Sequence, residues 1–512
     1  MRIPHTATWI AAALVLAAAS VAAAGLITAV VSGRSAASAG PRTRQPRSVI
    51  SVLAGSPAGI TAATARLLLS AAPSAVVADS ASRSAVTAAA GIADRAHAPL
   101  LLMSPGARAV AQASGLRAAI TALRPRAVLP VGIAAAVLSA DLPGVRVVTS
   151  ASALQAAGDT APTAPLRRVA VLVHSRRPSA ESAEAIAAAT TARAAGARVI
   201  YLPGYNPGAD PAAIRTLAAS KPLRVVGIGA RFGPHGLLAE RVALAETGVQ
   251  LPGGGQVLFP MRRIVALYGH PGTPALGALG EQNLTASVGR ARAAAAQYSA
   301  LSKVPAIPAF EIIATVAQAS PGPRRSFSSQ TSVASLRPWV TAATKAGMYV
   351  TLDLQPGRAS LLSQAMLYRS LLRLPNVGLA LDPEWHLGPR QLPLRQIGSV
   401  DISEVNLVAG WLARLTARYR LPQKLLELHE FRLSMIRDVQ KLDTGHADLA
   451  VVINMDGQGA PGTKQQTWAA VVTHAPSGVF FGWKDFYAKD TPMLAPWATI
   501  DHTPVPVLIS YQ

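Results

Sequence analysis

Eight strand-like runs follow one another between residue 263 and the C-terminus, and nothing else limits the fold of this 512-residue chain so sharply. They are RIVALYGH (263–270), PAFEIIATV (308–316), GMYVTLDLQ (347–355), VGLALDPEW (377–385), QKLLELHEF (423–431), ADLAVVINMD (447–456), GVFFGWKDFY (478–487) and PVLISYQ (506–512). Helical patterns separate most of them. One is SVDISEVNLVAGWLARLTARY, whose apolar residues recur at three and four. Strands alternating with helices over residues 261–512 predict an α/β fold, a (β/α)8 TIM-type barrel. A doubly wound open sheet is the alternative.

Side chains on one face of a strand recur every second residue. The face carrying polar groups reads Tyr268 and His270, Glu311 and Thr315, Asp353 and Gln355, and Asp382 and Glu384. It continues with Glu427 and His429, Asn454 and Asp456, and Lys484. The opposite face is apolar, as in Leu352 and Leu354, Leu379 and Leu381, Leu426 and Leu428, and Val451 and Ile453. In a barrel the apolar face packs on helices, so the polar face converges inside. An interior built only for stability is mainly Val, Ile and Leu. Unpaired carboxylates or imidazoles there cost several kcal/mol each, so they must pair or bind something. They also sit toward the C-terminal strand ends, where such barrels place active sites.

The densest piece is ALDPEWH, which sets Asp382 and Glu384 side by side on one face. One carboxylate beside another has a raised pKa, as a general acid needs near neutral pH. This D-x-E ending on a fourth barrel strand resembles that of chitinase-like enzymes and of barrel-fold lysozymes that cut bacterial wall glycan. The resemblance implies that Glu384 protonates the glycosidic oxygen and that Asp382 is its partner. Asp353, Glu427 and Asp456 remain equal candidates for the second carboxylate. Substrate-binding candidates are His270, Tyr268, Glu311, Gln355, Trp385, His429, Asn454 and Lys484. Trp385, Trp483 and Tyr487 are candidates for stacking on sugar rings. Arg324, Arg325, Arg390 and Arg395, in loops after strands two and four, are placed to meet an anionic glycan.

Other chemistries have less support. His270, Asp353, Asp382, Glu384 and His429 are suitable donors for a divalent ion, which keeps a metal-dependent phosphodiester hydrolase as a third reading. No local ligand spacing supports it, since His429-Glu430 has no second His four residues after the first. No metal or cofactor is therefore assigned. The chain has no G-x-S-x-G elbow, and GHPGTPALGALG lacks the Lys-Ser/Thr of a phosphate loop.

Residues 49–260 differ in character. Short β-branched runs such as SAVVADS, APLLLMS, RAVLPVG, RRVAVLVHS and LRVVGIGA alternate with Ala-rich helical segments, predicting parallel α/β (Rossmann-like) layers. TAPTAPLRR divides them into units 49–160 and 161–260. GIGARFG (227–233) has the spacing G-x-G-x-x-x-G, which departs from the dinucleotide loop and reads as a strand-to-helix turn. From Val76 to Val148, APLLLMS, a helix, RPRAVLPVG and a second helix resemble the type-2 cell-wall-binding repeat of Gram-positive surface proteins. The sequence departs from that repeat at SASRSAVTAAAG, where an acidic D-A-L segment is usual. The resemblance implies wall binding by this region, with an inert spacer of similar fold as the alternative.

Trp9–Gly33 carries no charge over 25 residues, and Arg34, Arg42, Arg44 and Arg47 follow it. Residues 1–33 therefore read as a signal-anchor or signal peptide and residues 34–48 as a linker. Residues 251–512, from LPGGGQVLFP through YGHPGTPALG, LDLQPGR, LALDPEW and RLPQKLLELHEF, are similar to an uncharacterised family of exported actinobacterial proteins. That resemblance implies location and architecture.

Charge removes one class of partner. The 48 basic and 25 acidic residues give +23, split as 24 − 9 = +15 over residues 1–260 and 24 − 16 = +8 over the rest. Forty of the 48 are Arg, and no cluster of five to eight basic residues appears. The charge follows an Ala- and Arg-rich composition and marks no nucleic-acid groove. The absence of Cys removes disulfides, thiolate metal sites and a Cys nucleophile. The expected protein is extracytoplasmic, membrane-anchored through its N-terminal segment or secreted to the wall. Its barrel acts on or binds a cell-wall glycan or other extracellular polysaccharide. A non-catalytic wall- or polymer-binding surface protein is the alternative.

Overall fold

The computed structural model describes residues 40–104, 109–158, 160–175 and 181–512. The apolar run Trp9–Gly33 lies outside the described residues. Among the described residues, no helix is long and apolar enough to cross a membrane. The chain forms two compact units, Met1–Tyr201 with Pro222–Pro234, and Leu202–Lys221 with His235–Gln512.

The first unit holds two larger sheets. One has the order Ile50–Leu53, Arg224–Ile228, Val169–His174, Arg198–Leu202, and the other Leu100–Met103, Ser74–Asp79, Ala127–Val131. Ile50 pairs in parallel with Val225, and Val169 with Arg224. Ser74–Asp79 is parallel to both its neighbours. LLLM (100–103) is buried throughout, as expected for a strand covered on both faces. The helices Pro57–Leu68, Arg83–Arg95 and Ala183–Ala194 each start at a Ser side chain that accepts a backbone N–H. Because Ile50–Leu53 pairs with Arg224–Ile228, the segments on either side of TAPTAPLRR share one sheet. Residues 202–221 and 235–260 belong instead to the second unit. Part of the expected linker is also structured, since Arg42–Thr43 pairs antiparallel with Leu69–Ala71.

The second unit is a closed barrel of eight parallel strands. These are β1 (Arg263–Gly269), β2 (Ala306–Ala317), β3 (Tyr349–Leu354), β4 (Val377–Leu381), β5 (Lys424–His429), β6 (Leu449–Met455), β7 (Phe480–Asp485) and β8 (Leu508–Tyr511). Each pairs with the next, and β8 returns to β1 while β1 also pairs with β2. This closure excludes the open doubly wound sheet. Four crossovers carry substantial helices: α1 (Leu284–Ser299), α2 (Val333–Lys345), α3 (Leu361–Leu367) and α4 (Ile402–Arg418). A fifth, α5 (Pro461–His474), joins β6 to β7. The β5–β6 link is built on a 3-10 turn at Val439–Lys441, and the β7–β8 link on one helical turn at Pro496–Thr499.

The alternation sorts the strand residues into two cores. Val265, Leu267, Phe310, Ile312, Leu352, Leu379, Leu426 and Ile453 face the helices in the larger one. Ile264, Ala266, Ile307, Ala309, Tyr349, Leu425, Ala450, Val452 and Leu508 fill the lower barrel with Leu251, Leu258 and Phe259. Fully burying a large apolar side chain contributes about 1.5–3 kcal/mol, so this layer anchors the barrel floor. Gly378 is required there. A Cβ on it would lie 2.9 Å from the Leu425 carbonyl oxygen and 3.0 Å from Tyr349 Oη. Tyr349 Oη accepts the Leu425 N–H at 3.1 Å. Lys424, fully buried, donates from Nζ to the carbonyls of Leu374 at 2.7 Å and Val377 at 2.8 Å.

Candidate active site

Above this apolar floor the same alternation delivers polar side chains. Tyr268, Glu311, Thr351, Asp353, Asp382, Glu427, His429, Asn454, Asp456, Lys484 and Ser510 are all buried. Seven of the eight strands supply them directly. Asp382 and Asp456 stand one residue past the ends of β4 and β6.

His429 is the hub. Its Nδ1 lies 2.9 Å from Asp456 Oδ2, and its Nε2 forms ion pairs with Glu311 Oε1 at 2.9 Å and Glu427 Oε1 at 3.5 Å. Asn454 Nδ2 donates to Glu427 Oε1 at 2.6 Å and to Ser510 Oγ at 3.4 Å. Gly482 makes this possible, because a Cβ there would lie 2.8 Å from Asn454 Oδ1. Tyr268 Oη donates to Asp353 Oδ2 at 3.0 Å and accepts from Gln355 Nε2 at 3.2 Å. Lys484 Nζ stands 3.4 Å from the Tyr268 ring centroid, a cation–π contact.

A cleft of about 630 Å³ opens over this layer. Tyr268, Gln355, Asp382, Glu384, Trp385, Asp456 and Lys484 line it, joined by Pro393 and Leu394 from the loop after β4, and by Phe431 and Gln512. Glu384 and Trp385 project from a 3-10 turn, Pro383–Trp385, that directly follows Asp382.

Burial raises each of these acids, and the His429 charge reverses that for Asp456. Desolvation, reinforced by Asp456, pushes the Glu384 carboxyl up to about 7. Desolvation and the Asp353 charge hold Asp382 well above the ordinary carboxylate range. Asp353 is pushed up to about 6 by burial, with His429 opposing and Glu311 adding to the rise. Glu427 is raised by burial and by Glu311. Asp456 goes the other way: burial opposes its charge, but the His429 charge and hydrogen bond outweigh it and lower the pKa. Burial likewise opposes a charged His429, yet Asp456 and Glu311 lift that ring well above its usual range.

The expected residues fall into three groups. Tyr268, Gln355, Asp382, Glu384, Trp385, Asp456 and Lys484 line the cleft. Glu311, Asp353, Glu427, His429 and Asn454 are buried beside them. His270 and Thr315 stand apart. Gly269, at φ +145°, ends the alternation of β1, and His270 Nε2 lies 2.9 Å from Thr331 Oγ1. A register shift between Ile313 and Thr315 turns Thr315 toward α3, where its Oγ1 donates to Gln364 Oε1 at 2.7 Å. Of the stacking candidates, Trp483 is a packing residue, while Tyr487 stays exposed. Trp483 is fully buried, with Nε1 donating to Asp485 Oδ1 at 2.7 Å and its ring against Trp468 and His502. Tyr487 stacks on Tyr511 at 5.4 Å, beneath Arg290. Arg324 donates to Gln330 Oε1.

Other residues join the site without being anticipated. Ser510 and Gln512 obey the alternation in LISYQ, so that signal was present. Glu430 was hidden, since it follows the last residue of β5. It is buried, and burial together with Asp456 pushes it up to about 8. Donor atoms of Glu311, Glu427 and His429 gather within 4.8 Å of one another. No protein-family model, curated protein or solved structure matches this chain.

Proposed function

We propose that the barrel is a glycoside hydrolase with Glu384 as general acid and Asp456 as the second carboxylate. The observation that carries this reading is the opposed protonation of two acids lining one cleft. Glu384 is held protonated to about pH 7, while Asp456 is kept ionised by His429. Pairs of titratable groups pushed apart in this way mark acid and base assignments. Asp353 and Glu427 are poorer candidates for the ionised role, because burial raises both and neither lines the cleft.

In this mechanism a sugar ring enters against Trp385. Glu384 gives its proton to the departing glycosidic oxygen as the bond to the anomeric carbon breaks. The Asp456 carboxylate stabilises the positive charge that develops at that carbon; a water oxygen then bonds to it, and the water's proton returns to Glu384. Asp382, protonated beneath Glu384, adds no competing negative charge. Lys484 supplies a cation near the hydroxyls.

The wider reading is that of an exported, wall-associated protein, anchored in or released from the membrane through residues 1–33. Its N-terminal layers are Rossmann-like and resemble the cell-wall-binding repeat in binding the wall, and its barrel acts on wall glycan or another extracellular polysaccharide. The test is release of reducing ends from purified peptidoglycan and from a panel of neutral polysaccharides. Turnover lost in Glu384→Gln supports the assignment. Retention on peptidoglycan without turnover in the native chain would replace it with a binding role.

A further inference from the structure

The buried layer beneath the cleft carries more negative than positive groups. Among the described residues, the cations that act on Asp353, Asp382, Glu427 and Asp456 include His429 and Lys484, and Glu311 pairs with His429. Three of these side chains converge: the donor atoms of Glu311, Glu427 and His429 all lie within 4.8 Å, and all three residues are fully buried. Glu311 Oε2 and Glu427 Oε2 have no hydrogen-bond partner among the described residues, and neither has Asp353 Oδ1. Buried carboxylate oxygens left in this state are costly unless a cation or a proton meets them.

The histidine is oriented for a metal. Asp456 Oδ2 takes the Nδ1 side of the ring at 2.9 Å, which directs Nε2 toward the two glutamates. A carboxylate on one ring nitrogen, fixing the tautomer and aiming the other, is the usual outer-shell arrangement of a metal-bound histidine. We propose that Glu311, Glu427 and His429 Nε2 form a binding site for a divalent transition ion, with Asp456 as the orienting carboxylate. The imidazole favours zinc and other transition ions over magnesium or calcium, and the two carboxylates also admit manganese. On binding, the Nε2 proton leaves to solvent and the ion takes its place. The ion reaches the site from the cleft, where Asp456 is both a lining residue and the partner of His429. This site shares His429 and Asp456 with the glycosidase reading but does not rest on it, since neither glutamate touches the sugar there.

The untagged full chain, stripped with chelator and then dialysed against Zn2+ or Mn2+ alone, is expected to retain one ion per chain by elemental analysis. Mg2+ and Ca2+ are expected to be lost. In histidine-15N NMR, one imidazole nitrogen should shift on addition of one equivalent of Zn2+. Glu311→Gln and His429→Gln should abolish retention, and Asp456→Asn should weaken it about 10–100-fold. The native chain alone decides the first point, so a misfolded variant leaves the test standing. No retained ion and no shifted nitrogen would overturn the site, as would undiminished retention in folded Glu311→Gln. Neither result bears on sugar release.

Discussion

His429 Nδ1 and Asp456 Oδ2 stand 2.9 Å apart, and this contact sets the charge of the cleft wall. With the imidazolium in place, Asp456 ionises more readily than an ordinary aspartate despite its burial. Replacing His429 with Gln removes that charge. The lower limb of the pH–rate profile, set by Asp456, is then expected to move to higher pH. An unmoved lower limb in a folded His429→Gln protein would show that Asp456 is not the ionised partner.

Glu384 stands on the turn after β4, at the cleft mouth, and is only partly buried. Glu384→Gln should lower turnover by about 10²–10⁴-fold, the usual contribution of a general acid. Its melting temperature should stay close to that of the parent, since the turn keeps its backbone contacts. Calorimetry beside reducing-end assays separates the two effects.

The acid must carry its proton to work, and its pKa is pushed up to about 7. Activity should therefore fall as pH rises through about 7, and fall again in acid as Asp456 takes a proton. Asp456→Asn should lose most of its turnover. In the activity that remains the acid limb should disappear, and the alkaline limb should move to lower pH, because Asp456 no longer raises Glu384. A profile with no alkaline fall between about pH 5 and 9 in the parent chain would remove the Glu384 assignment; the Asp456 limb lies below that window, because His429 lowers its pKa.

Lys424 is a stability element remote from the cleft. Burial lowers its pKa from 10.5 to about 7. A group depressed in the folded state stabilises above its unfolded pKa, and that stability is lost as pH falls through the folded value. Relative to Lys424→Met, the parent should gain stability from about pH 7 toward 10.5, by at most about 1.4 kcal/mol per pH unit. Urea titrations of both proteins across that window measure the difference in slope.

Gly482→Ala tests how the polar layer is packed. Its Cβ would meet Asn454 Oδ1 at 2.8 Å and displace the amide from Glu427. Overpacking of this kind costs about 1–3 kcal/mol. Denaturant midpoints should fall accordingly, and Gly482→Ala combined with Asn454→Ala should recover part of the loss.

Much of the barrel was legible because two periods coincide. Strand alternation separated Leu426 and Leu428 from Glu427 and His429, and helical spacing marked the intervening segments. The rule failed where the backbone departs from regular pleating. Gly269 and the shifted register at Thr315 each redirected a side chain that the pattern had assigned to the interior. Alternation also could not rank Asp353, Glu427 and Asp456. Their difference depends on which of them faces the cleft and which touches His429, and those contacts join residues far apart in sequence. The connections β5–β6 and β7–β8 carry little helix, so crossover patterns predicted them less well than the strands they join. Ile50–Leu53 pairs with a strand more than 170 positions away, a partnership no local signal announces.

Leu251, Leu258 and Phe259 stop the lower end of the barrel with a plug of apolar side chains. The interior is thus a well with one door. On the proposed hydrolase reading, substrate and product would share that mouth, and the released end should compete with fresh chain for entry.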